Sequence, residues 1–284
     1  MYGTLIKSVR ARQVYTNRGK PGVEVTVVTE SGASGRAMCT AGVSMGTHEV
    51  DFAYDGGRKF GGKGVGKALE SVNNIIAPAI CGMDASNQAE IDEAMLGIMP
   101  DAKLKLGGNA TAATSAAVLK AGANALGIPL YRHIGGANAM YLPVPGVAMA
   151  AGDERYGGGI TTPGGKPTMS VMAYGFNTFS DASYACWDIH TRWAEKMKKS
   201  FGGLPNIRDF ISIPAGVYSC DREIWEDMLK TVIEAGYEGK VGFQMDVATD
   251  TYYNKEDGKY YGLFDKTPKT KEDLYNFYLQ IIRS

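Results

Sequence analysis

The sequence predicts an α/β protein made in two parts. Three observations carry this. Up to about residue 137 the chain reads as three alternating strands followed by helices, a small α+β unit. A glycine- and proline-bearing break, "GGANAMYLPVPG", follows. Beyond it strands and helices take turns, the pattern of βα units on a mainly parallel sheet. The expected division is 1–137 and 138–284.

The elements follow in order. "TLIKSVRARQVY" and "GVEVTVVTES" alternate apolar and polar residues around the turn chemistry of "TNRGKPG", which predicts a β-hairpin. "GRAMCTAG" predicts a third strand. "GVGKALESVNNIIAPAI" places Val65, Leu69, Val72 and either Ile75 or Ile76 at helical spacing. "NQAEIDEAML" continues as helix, and "NATAATSAAVLKAGANALG" is an alanine-rich helix with Gly127 as its stop. After the break, "LPVPGVAMA", "PTMSVMAYG", "DFISIPAGVYS" and "KVGFQMDVA" predict strands. The intervening helices bury Ala182, Ala185, Ile189, Trp193 and Met197, then Ile224, Met228, Leu229 and Val232. "TKEDLYNFYLQIIR" is a final helix with a capping box from Thr270 to Asp273. About four strands are thus legible after residue 140, half of the roughly eight that close a barrel.

Composition narrows the function. Thirty basic and thirty acidic residues cancel, which argues against a nucleic-acid or membrane-surface partner. No apolar run reaches membrane-spanning length, and the N-terminal stretch has no secretory core, so a cytoplasmic protein is expected. Cys39, Cys81, Cys186 and Cys220 lie far apart with no CxxC pair, which predicts reduced thiols rather than a metal finger. The three histidines are scattered, and His190, mid-helix beside Trp187 and Trp193, reads as a packing or surface residue.

Three stretches carry candidate chemistry. Asp246 ends the strand "KVGFQMD", where an acid suits a metal or a proton and is costly if unpaired. "TAGVSMGTHE" offers a mobile loop whose Ser44 hydroxyl can reach a ligand or metal. "AAGDERYGGGITTPGGKP" sets Asp153, Glu154 and Arg155 in a glycine-rich loop after a strand, where function concentrates in α/β proteins. "RKFGGKGVGKALE" lacks the spacing of a phosphate-binding loop and reads as a helix lead-in.

Six blocks, "VRARQVYTNRGKPGVEV", "AGVSMGTHE", "FGGKGVGKALESVNNIIAPAI", "KLGGNATAATSAAVLKAGANALGIPLYRHIGG", "LPVP" and "EAGYEGKVGFQMDVATDTYYNKEDGKY", together resemble the enolase (phosphopyruvate hydratase) family, in its order and near its spacing. The resemblance implies an N-terminal α+β capping domain followed by an eight-stranded TIM-type α/β barrel, of which this chain holds about the first half. It implies a lyase that dehydrates 2-phosphoglycerate through an enolate stabilised by two Mg2+ ions. By this resemblance Ser44 looks like the lid serine that reaches the second ion, and Asp246 like the first of three acidic ligands to the first ion.

The resemblance also has departures. "AAGDERY" replaces the family's glycine-serine-histidine lid and sets Arg155 at the histidine position. "TMSVMA" sets Ser170 or Met169 where the family has a glutamine-glutamate pair. "SIPAGVYSC" replaces the loop carrying the acid-catalyst glutamate, with Pro214 near its place. "AGVSM" stands where the family's lid reads "SGAST". The other two metal acids and the base lysine would lie beyond Ser284. The resulting expectation is one subunit of a split enzyme. A complementary barrel-half chain supplies the rest, and the substrate is a small carboxylate altered from 2-phosphoglycerate. Asp153, Glu154, Arg155 and Tyr218 are the substrate-binding candidates, and Ser44 and Arg155 the catalytic ones. A non-catalytic binding relative and a shortened ordinary enolase are the alternatives. Half a barrel is also expected to bare an apolar interior and two sheet edges.

Overall fold

The computed structural model describes residues 2–16, 19–42, 48–151, 168–200, 211–212, 218, 221–247, 249, 253–261 and 267–283. The chain divides into two units, Met1–Met140 and Tyr141–Ser284.

In the first unit, β1 (Ile6–Tyr15), β2 (Pro21–Thr29) and β3 (Ser34–Cys39) form an antiparallel sheet in that order. The predicted hairpin and third strand are both present. Central β2 sends Val23, Val25 and Val27 into the core. On its other parity Glu24 is buried, with Arg12 Nε 2.6 Å from one carboxylate oxygen and Arg36 Nε 3.7 Å from the other. The two arginines supply the pairing that a buried carboxylate requires.

The next predicted helix runs from α1 (Gly66–Glu70) through a π-helical turn (Ser71–Ile76) into α2 (Ala77–Ile80). Pro78 has no N–H to give, and the ladder widens just ahead of it, with the Ala77 N–H donating to the Val72 carbonyl. Val65, Val72 and Ile76 are buried, whereas Ile75 is 37% exposed, so Ile76 is the core member of the pair. α3 (Gln88–Gly97) and α4 (Ala102–Leu106) follow. Then α5 (Gly108–Ala125) lays Ala110, Ala113, Ala117 and Ala121 on the sheet. The approach is so close that a Cβ on Gly35 would meet the Ala117 carbonyl oxygen at 2.1 Å. Gly127 follows α5 with φ +68°, the left-handed stop its position predicted. α6 (Leu130–Gly135) precedes the break.

The second unit places β4 (Gly146–Ala151), β5 (Thr168–Met172), β6 (Ile211–Ser212) and β7 (Gly242–Asp246) in one sheet, in the order β6-β4-β5-β7. β4 and β6 are parallel, but β5 runs against both β4 and β7. The mainly parallel sheet expected from strand–helix alternation is therefore corrected. Apolar–polar alternation locates a strand without fixing its direction relative to its neighbours. No closed barrel forms among the described residues; this is a partial barrel.

The helices α7 (Phe179–Ser200) and α8 (Asp221–Glu234) cover one face of this sheet. Met149, Met169 and Val171 pack there against Ile189, Trp193, Met197, Ile224, Met228 and Val232. The Trp193 indole N–H donates to the Met149 carbonyl at 2.9 Å, fixing α7 to β4. The α7 stripe is as predicted. In the α8 stripe Leu229 is instead 44% exposed, because the packing seam follows the i, i+4 positions Ile224, Met228 and Val232. After the short strands β8 (Tyr253–Asn254) and β9 (Lys259–Tyr260), α9 (Lys271–Arg283) packs Leu274 against Met245 and Tyr260. Its predicted capping box is made: Thr270 Oγ1 donates to Asp273 Oδ2 at 2.7 Å, and the Asp273 N–H donates back to Thr270 Oγ1 at 3.1 Å.

The opposite face carries the other parity. β5 offers Thr168 and Ser170, and β7 offers Gln244 and Asp246 as their cross-strand partners. The helices cover Met149, Met169 and Val171, and the other parity is mixed: polar near Asp246, with Ala148 and Met172 on the same face. No described helix is long and apolar enough to cross a membrane.

Candidate functional site

Strand pairing gathers the candidate chemistry at one edge. Ala151 at the end of β4 pairs with Ser212 at the end of β6 and with Thr168 at the start of β5. Thr168 in turn pairs with Asp246 at the end of β7. The carboxyl ends of β4, β6 and β7 therefore lie in one row. Loops beyond strand carboxyl ends are where α/β folds place their chemistry.

Asp246 is exposed there, on the helix-free face. Ser170, the alternative to Met169 for a rewritten family position, shares that face opposite Gln244, whereas Met169 is buried beneath the helices. Gln244, two residues before Asp246, and Thr168, directly across from it, are polar neighbours that the sequence reading passed over. The alternation of "GFQMD" already placed Gln244 on the Asp246 face.

Tyr218 lies half-buried against the helical layer. Its hydroxyl donates to Asp227 Oδ2 at 2.6 Å and lies 3.8 Å from the Met197 sulfur. Asp227 also pairs with Lys196 of α7 through its other oxygen. This junction ties Tyr218 to both helices. Ser44, Asp153, Glu154, Arg155 and Pro214 lie outside the described residues.

The loop that carries Ser44 has well-anchored surroundings. Asn109 accepts from the Ala53 N–H at 3.0 Å and donates to its carbonyl at 3.3 Å, and the Gly108 N–H donates to the Asp51 carbonyl at 2.9 Å. A cleft of about 470 Å³ in the first unit is bordered by Cys39 and Glu49, on either side of this loop, and floored by Val50, Phe52 and Met95. Burial pushes the Cys39 thiol up and disfavours its thiolate. Cys39, Cys81 and Cys186 are free thiols. His190 has an Nε2 that is buried and unbonded among the described residues, and burial lowers its pKa, as a packing histidine requires.

Among the described residues no three acidic, histidine or cysteine side chains gather as a metal site. Asp246 provides one carboxylate, with the side-chain oxygens of Thr168 and Gln244 on the same face. One or two carboxylates plus water and substrate oxygens are what a magnesium ion takes. These residues fit a share of such a site and do not close one.

Comparison with known proteins covers both units. The family model described as the enolase N-terminal domain matches residues 6–134, and that described as the enolase C-terminal TIM barrel domain matches residues 139–284. A protein named enolase from Methanococcus aeolicus is 36% identical over 278 residues, 97% of this chain and 64% of its own length. One from Bifidobacterium longum subsp. infantis is 37% identical over 287 residues, 98% of this chain and 63% of its own. One from Methanopyrus kandleri is 35% identical over 285 residues, 98% of this chain and 64% of its own. The chain thus spans just under two-thirds of the relatives it matches. Capping-type α+β unit, partial barrel with a strand-end acid, and family match agree: this chain belongs to the enolase family.

Proposed function

We propose that this chain is one part of a magnesium-dependent carbon–oxygen lyase, acting on a small carboxylate whose structure differs from 2-phosphoglycerate. A second polypeptide completes its barrel and brings the remaining metal acids and the base. The observation that carries this is the place of Asp246: the carboxyl end of β7, on a polar, helix-free sheet face beside Thr168 and Gln244. Asp246 would hold the ion as one carboxylate donor among several. When bound, the ion offsets negative charge that builds on the substrate carboxylate.

The chain's own residues bind and orient. Asp153, Glu154 and Arg155 follow β4 in sequence, and Arg155 supplies a fixed positive charge for a carboxylate. Tyr218, its hydroxyl committed to Asp227, acts by anchoring itself to the α7–α8 layer. A second reading, dehydration of 2-phosphoglycerate itself, draws on the 35–37% identity to proteins named enolase. The test combines purification and titration. A complementary polypeptide with two strand-end acids and a strand-end lysine should co-purify, and the complex should bind Mg2+ with an affinity that Asp246→Asn reduces by about tenfold or more. A chain that purifies alone, monodisperse and without Mg2+ affinity, refutes the split lyase. Phosphoenolpyruvate formation by the complex would favour the second reading.

A further inference from the structure

The end of the second unit's sheet opposite Asp246, where Met172 pairs with Gly242, holds another cleft, of about 370 Å³. Two loops build it. The Gly175 N–H donates to the Lys240 carbonyl at 2.9 Å, and a Cβ on Gly175 would sit 2.6 Å from the Lys240 Cα. Only glycine allows that approach. The Tyr174 hydroxyl adds a bond to the Gly239 carbonyl at 3.3 Å.

The clamp sets the lining. The Phe176 and Tyr237 rings lie with centroids 5.9 Å apart, and the Lys240 ammonium stands 5.6 Å from the Phe176 centroid. Tyr184 forms another wall and stacks on Trp187 at 5.8 Å. Nearby charges are already spent on one another: Asp188 accepts from Arg192 at 2.9 Å and from the Tyr237 hydroxyl at 3.2 Å. Two charges remain. Lys240 has no carboxylate within ion-pair distance among the described residues. Asp181 accepts from Thr178 Oγ1 on Oδ2 alone, leaving Oδ1 without a described partner.

A lone anion in this cleft meets Asp181, and a lone cation meets Lys240. A ligand carrying both charges and a ring satisfies every wall. We infer that the cleft binds a free α-amino acid with an aromatic or large apolar side chain, its carboxylate on Lys240, its ammonium on Asp181 and its side chain among the Phe176, Tyr184 and Tyr237 rings. The volume suits a ligand of that size. Ring contacts and charge-assisted hydrogen bonds are the interactions that orient such ligands. The site lies at the far end of the sheet from Asp246, so it is independent of the lyase reading.

The test titrates the full chain with L-phenylalanine, followed by tryptophan fluorescence and calorimetry; Trp187, stacked on the Tyr184 wall, is the reporter. 3-Phenylpropanoate, which lacks the ammonium, and phenethylamine, which lacks the carboxylate, are the comparison probes. L-Phenylalanine should saturate, and each comparison probe should bind about tenfold more weakly or worse. Lys240→Gln, which keeps the backbone clamp, should weaken L-phenylalanine by about tenfold and leave phenethylamine no weaker. Absence of saturation, equal binding of all three probes, or L-phenylalanine binding unchanged by Lys240→Gln would each overturn the inference.

Discussion

Removing one oxygen from Tyr218 separates a residue that holds the fold from one that holds substrate. Its hydroxyl donates to Asp227 at 2.6 Å, and Asp227 pairs with Lys196 through its other oxygen. A hydrogen bond to a charged acceptor contributes about 1.5–3 kcal/mol. The Asp227 side chain is 25% exposed and keeps its lysine, so water recovers part of that loss. Tyr218→Phe should therefore cost about 1–2 kcal/mol. For a unit of this size that lowers the midpoint by roughly 2–8 °C. All three tryptophans, Trp187, Trp193 and Trp225, lie in the second unit, so urea unfolding followed by tryptophan fluorescence reads this unit alone. Crossing Tyr218→Phe with Asp227→Asn should give a coupling energy of about 1 kcal/mol. A Tyr218→Phe change that leaves the urea midpoint in place, or a pair of changes that simply add, would refute the structural role and return Tyr218 to the substrate.

Three further outcomes are expected. Gly35→Ala sets a methyl 2.1 Å from the Ala117 carbonyl oxygen and 2.3 Å from the Ala121 nitrogen, so α5 must lift from β3. The loss should be about 3 kcal/mol, seen as a lower thermal midpoint in far-ultraviolet circular dichroism; an unchanged midpoint contradicts the close packing. His190 is held neutral by burial, with its pKa below the ordinary value. The unfolded chain then takes up the proton first as pH falls, so the contribution is complete above about pH 6.5 and is lost as pH drops toward the lowered folded value. Urea midpoints at about pH 7.5 and about pH 5.5 should show this slope, and His190→Leu should flatten it. Thr270→Ala removes the hydroxyl and its bonds that hold the Asp273 carboxyl below its ordinary pKa. The Asp273 titration seen by NMR should move up, and amides in the first turn of α9 should exchange faster.

Where periodicity reports burial directly, the sequence was readable. The α7 stripe from Ala182 to Met197, the three strands of the first unit and the Thr270 capping box all stand where local pattern put them. Local pattern does not set strand direction, which depends on what connects the strands. The alternation of "PTMSVMA" therefore located β5 but could not show that it runs against its neighbours. Nor does apolar content reveal which parity a helix will cover. The strands looked apolar because Met149, Met169 and Val171 are, yet these residues all face α7 and α8. The site was legible in proportion to its dependence on strand ends. Asp246 was found by its position after an apolar run, while Thr168 joins it only through pairing across the sheet. Tyr218's hydroxyl goes to Asp227, nine residues away on a helix, and no motif announces that bond.

The position of Asp246 has a consequence for solubility. Among the described residues β7 is the outermost strand on its side of the sheet, and an outermost strand offers backbone groups to another strand. A charge at the end of such a strand works as a gatekeeper: a second copy laid alongside must bring its own backbone past a carboxylate. Asp246→Asn would strip that guard along with the metal donor. The variant should self-associate more readily than the parent chain as concentration rises, so its metal affinity is to be measured on the non-associated fraction. An acid placed for chemistry would then also keep β7 from pairing with the wrong strand.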